Sequence, residues 1–149
     1  MDITDAAAST AMFLGRRYAV VTSLDRTVPL IEDRLLLAGL AAHCASVRAS
    51  GLGVLELEED PARAVDAIAG QAAAAVSDDG AEVIVLGCAG MAGLAEAVRT
   101  RAGVPVVDGV PAAVTVAESL VRLDLSTSKA RTFAPPRPKS VTGWPWPRP

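Results

Sequence analysis

The hydrophobic and polar positions of the chain follow two alternating periods. Short apolar runs, rich in β-branched residues, predict strands over Tyr18–Thr22, Cys44–Ala49, Val83–Leu86 and Val104–Val107. Between them, apolar residues recur at helical spacing, which predicts helices over 2–14, 28–38, 61–76, 91–102 and 110–123. Strands that alternate with helices of this length pair in parallel. The pattern therefore predicts an α/β fold in which a four-stranded, mostly parallel sheet is flanked by helices.

Two segments fall outside this alternation. The acidic residues Glu56, Glu58 and Glu59 precede a helix start at Asp60-Pro61, and we interpret them as a solvated loop. From Ser126 onward no periodicity remains, and prolines recur at Pro135, Pro136, Pro138, Pro145, Pro147 and Pro149. This composition is typical of an extended tail.

Cys88 follows the most apolar of the predicted strands. The run Val83–Leu86 indicates a strand buried on both faces, and Gly87 ends it. Helical spacing resumes at Met91, so we expect Cys88 at a strand-to-helix turn beside a helix N-terminus. The positive end of a helix dipole stabilises a nearby anion by roughly 0.3–1 kcal/mol. Such a setting would favour the thiolate, which is the form that acts as nucleophile or base.

This position alone leaves two interpretations of Cys88 open. In one, the thiol is reactive, and the small residues Ala89, Gly90 and Gly93 let a ligand approach the backbone. In the other, Cys88 is a small apolar side chain that fills a strand–helix junction, as many free cysteines do. The position of Cys88 in the sequence favours neither interpretation.

A second group of polar residues is expected at the same edge of the sheet. In doubly wound sheets, ligands bind outside the carboxyl ends of the strands, where the loop Thr22–Thr27 begins. Its hydroxyl and backbone N–H groups could hold a carboxylate or a cyclic imide oxygen. For Thr27, a role as N-cap of the next helix is the preferred explanation. For Thr22 and Ser23, the structural and binding explanations are nearly balanced.

Charge and hydropathy exclude two classes of partner. The net charge of -3 argues against nucleic acid, which calls for a basic face. The longest uncharged apolar stretch, Val83–Ala95, is shorter than the roughly 20 residues of a membrane span. Asp2 and Asp5 occupy the place of the basic region of a signal peptide. These features predict a cytoplasmic protein.

The second cysteine is expected far from the first. Cys44 would begin one parallel strand and Cys88 would follow another, so the two would lie at opposite ends of the sheet, beyond disulfide distance. His43 is the single histidine and would lie at the end that holds Cys44. We therefore expect neither a cysteine–histidine dyad nor a metal site.

Three segments together resemble the C-terminal half of hydantoin racemases, in the aspartate/glutamate racemase superfamily. They are YAVVTSLDRTVP (18–29), EVIVLGCAGM (82–91) and GVPVVDGV (103–110), and STSKA (126–130) followed by APP (134–136) is similar to the tail of these enzymes. The resemblance implies a cofactor-independent enzyme of two similar α/β lobes, which hold the substrate between them and contribute one cysteine each to opposite faces of the stereocentre. Cys88 matches the second cysteine, and the loop Thr22–Thr27 matches the substrate-binding loop.

The first lobe of that family, with its cysteine, has no counterpart in this sequence. We therefore expect an N-terminally truncated racemase that is inactive alone. Residues 1–15 would form a crossing helix that joins the missing lobe, residues 16–125 the α/β lobe with Cys88, and residues 126–149 an extended tail. Such a lobe is expected to associate, with a first lobe or as a homo-oligomer.

The mechanism that the resemblance implies is two-base proton transfer on a 5-substituted hydantoin or a related amino-acid derivative. One thiolate removes the proton next to the carbonyl, the carbanion delocalises as an enolate, and the opposite thiol returns a proton. Cys88 is then the acid/base for one enantiomer. The residues expected to bind the substrate are Thr22, Ser23, Thr27, Gly87, Ala89 and Gly90.

Two other functions stay open. The chain could be a single-cysteine relative that resembles arylmalonate decarboxylases, or a non-catalytic lobe for binding or assembly. A racemase would exchange the proton at the substrate's α-carbon for deuterium, and a decarboxylase would release carbon dioxide. A non-catalytic lobe would do neither.

Overall fold

The computed structural model of the chain describes residues 2–139 and residue 143. The strands are β1 (Tyr18–Thr22), β2 (Cys44–Ala49), β3 (Val83–Leu86) and β4 (Val106–Asp108). The helices are α1 (Ile3–Ala11), α2 (Val28–Leu37), α3 (Val54–Glu59), α4 (Pro61–Asp79), α5 (Ala95–Ala102) and α6 (Gly109–Arg122).

The four strands form one sheet in the order β2-β1-β3-β4, and every pairing is parallel. Tyr18 at the start of β1 pairs with both Cys44 and Val83, and Leu86 at the end of β3 pairs with Asp108. This register aligns the carboxyl ends of β1 and β3. The predicted α/β sheet is confirmed.

Helices cover both faces of the two central strands, so β1 and β3 are buried along their whole length. On one face, Tyr18, Val20, Val83 and Val85 pack with apolar residues of α1 and α2. On the other face, Ala19, Val21, Ile84 and Leu86 pack with α4 and Val98 of α5. Full burial of a valine- or leucine-sized side chain contributes about 1.5–3 kcal/mol, so this two-sided core holds the strand ends in place.

Several predicted bounds are wrong: α1 ends at Ala11 rather than Leu14, and α4 continues to Asp79 rather than ending near Val76. Three further differences have a local reason. The acidic segment is not a loop but α3, because Leu57 is only 2% exposed in the core and the Glu56 carboxylate accepts the Gly53 N–H at 2.8 Å at the helix start. α5 begins at Ala95 rather than near Met91. β4 begins at Val106, after Pro105, which has no N–H to donate.

The tail from Leu123 to residue 139 is exposed and contains one short 3-10 turn, Arg131–Phe133. The predictions for Pro145, Pro147 and Pro149 lie outside the described residues. Within the part of the chain that the structure describes, no helix combines the length and the apolar character that crossing a membrane requires.

Candidate functional site

A cleft of about 380 Å³ lies at the carboxyl ends of β1 and β3. Its walls come from the start of α1, the loop after β1, the first turns of α2 and the turn after β3; they are Asp2, Thr4, Thr22, Ser23, Thr27, Leu30, Ile31, Arg34, Gly87 and Cys88. Five of the residues predicted from the sequence therefore come together: Thr22, Ser23, Thr27, Gly87 and Cys88. Ala89 and Gly90 follow in the next turn and are not among the lining residues.

Gly87 sets the close contact between β3 and β1 at this edge. A Cβ at Gly87 would lie 2.6 Å from Val20 Cγ1, nearer than side-chain carbons approach in real structures. The Gly87 N–H also donates to the Val21 carbonyl at 2.9 Å, which extends the sheet pairing by one residue. Glycine is therefore required where the chain leaves β3 and delivers Cys88 to the cleft.

Cys88 is half-buried and stands at the N-cap position of a three-residue 3-10 turn, Ala89–Met91. The expectation that it adjoins a helix N-terminus is wrong, because α5 begins only at Ala95, after a turn at Gly93 with φ +83°. A full helix dipole does not act on this thiol. Within the described residues, however, the backbone N–H groups of Ala89 and Gly90 have no hydrogen-bond acceptor, so they stand free beside it.

The last residue of β1 and the loop after it carry two linked hydroxyls. Thr27 Oγ1 donates to the Leu24 carbonyl at 2.6 Å and lies 2.9 Å from Thr22 Oγ1. Thr27 holds the N-cap position of α2, as predicted. Its side chain makes no capping hydrogen bond there, however, so the predicted capping contact is wrong. The Ser23 carbonyl accepts the Gly51 N–H at 2.8 Å, which fastens this loop to the connection after β2.

An ion cluster at the cleft rim was not found by sequence reasoning. Arg34 Nε lies 2.9 Å from Asp5 Oδ1 and 3.1 Å from Asp2 Oδ2, and its Nη2 also contacts Asp5. The hydrogen bond from Arg34 holds the pKa of Asp5 below its usual value, despite partial burial. The Arg34 guanidinium is therefore paired with two carboxylates at the rim of the cleft.

Asp108 is a further residue that the sequence did not single out. One carboxylate oxygen accepts the Gly93 N–H at 2.8 Å, and the other accepts the Val110 N–H at 3.0 Å. The side chain therefore ties the segment after Cys88 to the end of β4 and the start of α6. Asp108 could have been predicted as a helix N-cap, because it follows the predicted strand Val104–Val107 and precedes a predicted helix.

Cys44 lies at the opposite end of the sheet, as predicted. Its position in the register is level with Tyr18 and Val83, whereas Cys88 follows the last residue of β3. Its thiol donates to the Ser46 carbonyl at 3.3 Å, and burial raises its pKa to about 11. Neighbouring His43 contacts the Arg16 carbonyl at 3.2 Å, also away from the cleft. Neither side chain lines the cleft that holds Cys88.

Comparisons with known proteins converge on one family. The model of the Asp/Glu/hydantoin racemase family matches residues 1–117. A hydantoin racemase from Rhizobium meliloti is 48% identical over 141 residues, which cover 95% of this chain and 58% of that protein. The crystal structure of an allantoin racemase from Pseudomonas fluorescens superposes with a TM-score of 0.91 at 73% identity, over 96% of this chain and 61% of that one.

An allantoin racemase from Klebsiella pneumoniae gives a similar result. Its TM-score is 0.88 at 40% identity, over 95% of this chain and 58% of that one. The chain thus spans about 58% of the length of the curated hydantoin racemase that it matches.

Proposed function

Because the chain belongs to the Asp/Glu/hydantoin racemase family, we propose that it supplies one half of a racemase site for 5-substituted hydantoins or related cyclic ureides, with Cys88 as an acid/base. The observation that carries this proposal is the placement of Cys88 in a cleft with Thr22 and Ser23 at the carboxyl ends of β1 and β3. The names of the matched relatives, hydantoin racemase and allantoin racemase, support the substrate class.

The proposed reaction is a transfer of one proton from one face of a carbon to the other. The Cys88 thiolate removes the proton from the ring carbon next to the carbonyl, and the electron pair left on carbon delocalises into that carbonyl as an enolate. A second acid on the opposite face then protonates the carbon. For the other enantiomer, Cys88 would donate the proton instead.

Cys88 can serve only one face at a time. Cys44 cannot serve the other face, because it lies at the far end of the sheet and does not line the cleft. We propose that the second acid/base comes from a lobe corresponding to the part of the relatives that this chain does not span. Residues 16–125 would then act as the Cys88 lobe, residues 1–15 as the crossing helix, and residues 126–149 as the tail.

The N–H groups of Ala89 and Gly90 lie in the turn next to the cleft, and we propose that they stabilise the enolate oxygen of a ring that extends over Cys88. Donors that are already oriented toward developing charge contribute most where water is excluded. Thr22 and Ser23 would contact the ring, and Thr27 would act through Thr22, since its own hydroxyl proton is used by the Leu24 carbonyl.

Isotope exchange tests the proposed function. The chain is incubated in heavy water with each enantiomer of 5-methylhydantoin, and deuterium at C5 is followed by proton NMR. Since a single thiol faces one side of the ring, we expect deuterium in one enantiomer, without inversion and above the spontaneous rate. The Cys88→Ser variant should return the exchange to the spontaneous rate.

Three results would contradict this proposal. Equal exchange by wild type and Cys88→Ser would remove Cys88 from the chemistry. Release of carbon dioxide from an arylmalonate, without hydantoin exchange, would identify a decarboxylase instead. Absence of both activities would favour a non-catalytic binding or assembly lobe.

Association is a separate expectation, which follows from exposed apolar side chains near α1 and on α6. Phe13 is 89% exposed and Val121 is 76% exposed. The two helices α1 and α6 pack against each other, and exposed apolar side chains favour association in water. We expect sedimentation velocity at micromolar concentration to show a dimer or larger species, and Val121→Glu to shift it toward monomer.

Leu36→Glu is the matched control, because Leu36 is an exposed leucine on α2 rather than α6. It should leave the assembly unchanged. A monodisperse wild-type monomer, or dissociation by Leu36→Glu alone, would contradict an interface on α6.

A further inference from the structure

We propose that Thr22 and Thr27 form a hydrogen-bond relay, which leaves the Thr22 hydroxyl able only to accept a hydrogen bond from a ligand. The cleft then selects a ring that presents an N–H group to Thr22. This inference rests on the proposed function and deepens it, because it names the hydrogen-bond polarity that the substrate must have. It assigns Thr22 as a specificity-determining residue and Thr27 as a positioning residue.

The direction of the relay begins at Leu24. A carbonyl oxygen can only accept a hydrogen bond, and a threonine hydroxyl has one proton. Thr27 Oγ1 lies 2.6 Å from the Leu24 carbonyl, so the Thr27 proton is donated there. Toward Thr22, Thr27 can therefore only accept.

The second step transfers that constraint to the cleft. Thr22 Oγ1 lies 2.9 Å from Thr27 Oγ1, and since Thr27 cannot donate across this contact, Thr22 must. Its single proton is then in use, and only lone pairs of its oxygen remain for a ligand. Thr22 is 2% exposed and lines the cleft, so bulk water does little to satisfy those lone pairs.

Ser23 has the opposite property. It is 5% exposed and lines the same cleft, but its hydroxyl makes no hydrogen bond to any of the described residues. This hydroxyl is free to rotate and can donate to a carbonyl or accept from an N–H group. An acceptor at Thr22 beside an adaptable group at Ser23 matches the edge of a cyclic amide, where N–H and C=O are neighbours.

The rim of the cleft also favours a neutral ligand over a carboxylate. Arg34 lines this rim and is already held by the carboxylates of Asp2 and Asp5, so its guanidinium offers little to a ligand carboxylate. A free carboxylate, which can only accept hydrogen bonds, would meet an Arg34 that is already paired and the lone pairs of Thr22. Among the substrates in the family's name, the cleft therefore fits a neutral ring rather than an acidic amino acid.

The test compares 5-methylhydantoin with its N1-methyl and N3-methyl derivatives, using the amide NMR signals of Ser23 and Cys88 in the ¹⁵N-labelled chain. Methylation of the nitrogen that faces Thr22 removes the donor and should weaken binding at least tenfold, whereas methylation of the other nitrogen should have a smaller effect. Thr22→Val should abolish the tenfold discrimination, and Thr22→Ser, which keeps the hydroxyl, should preserve it.

Thr27→Val separates the relay from a purely structural role. It frees the Thr22 proton, which can then rotate and donate to a ring carbonyl, so the discrimination should fall to about threefold or less. Thr27→Ser should retain the wild-type ratio. A structural role for Thr27 would weaken binding of all three ligands equally and leave their ratio unchanged.

The outcomes distinguish this inference from the proposed function. If 5-methylhydantoin shifts neither amide signal, the proposed function fails, and the relay's role in specificity fails with it. If the parent ring binds but neither methylation matters, or if discrimination persists in Thr22→Val, the inference is overturned while the proposed site stands.

Discussion

Racemisation of a 5-substituted hydantoin by the chain alone is expected to fall at least about 10³-fold below that of the same chain joined to a family-like first lobe. A positioned acid or base contributes about 10²–10⁴-fold, and in the proposed mechanism the chain alone offers such a group on one face of the carbon only. Its cleft also opens to water, which weakens the N–H groups beside Cys88 as stabilisers of the enolate. Chiral chromatography of the product measures the rate.

The fused protein also supplies the matched control. Cys88→Ser in the fusion should remove most of the restored activity, because serine is a much poorer acid/base near neutral pH. Cys44→Ser should leave the rate within about twofold, since Cys44 starts β2 at the other end of the sheet. Turnover by the chain alone that equals the fusion and survives Cys88→Ser would overturn both the mechanism and the site.

The central sheet was predictable because its signals are local. The predicted bounds of β1, β2 and β3 match the structure, since each apolar run is bordered by polar or glycine residues that cannot continue it. The family resemblance drawn from three segments is likewise confirmed by the match over residues 1–117. These features can be predicted from short stretches of sequence.

The segment after Cys88 shows where periodicity misleads. Met91 and Val98 have helical spacing and are both fully buried, but Met91 belongs to the 3-10 turn and only Val98 to α5. Two elements that bury side chains in the same core produced one continuous apolar pattern. The helix N-terminus expected beside Cys88 was an artefact of that coincidence.

The cleft itself depends on contacts that no local pattern encodes. Asp5 and Arg34 are 29 positions apart and meet only because α1 and α2 pack on the same face of the sheet. The residue types Thr22 and Thr27 were visible in the sequence. The direction of their hydroxyls was not, because it depends on how the backbone presents the Leu24 carbonyl.

Iodoacetamide should label Cys88 at least tenfold faster than Cys44 in the folded protein at pH 8. Burial raises the pKa of Cys44 to about 11, so roughly one Cys44 side chain in a thousand is thiolate at that pH. Cys88 lies in a cleft open to reagent, beside free backbone N–H groups. Mass spectrometry of peptides from timed samples gives both rates.

The pH dependence and unfolding provide the controls for this labelling. Between pH 7 and pH 10 the rate at Cys44 should still rise about tenfold per pH unit, because its thiolate form is scarce until its raised pKa is reached. Unfolding in urea returns the thiol to an ordinary pKa of about 8.5 and should speed its labelling at pH 8 by about 200-fold. Cys88→Ser should leave only the slow reaction, and Cys44→Ser only the fast one. Faster labelling of Cys44 than of Cys88 in the folded chain would show that the wrong cysteine has been assigned to the site.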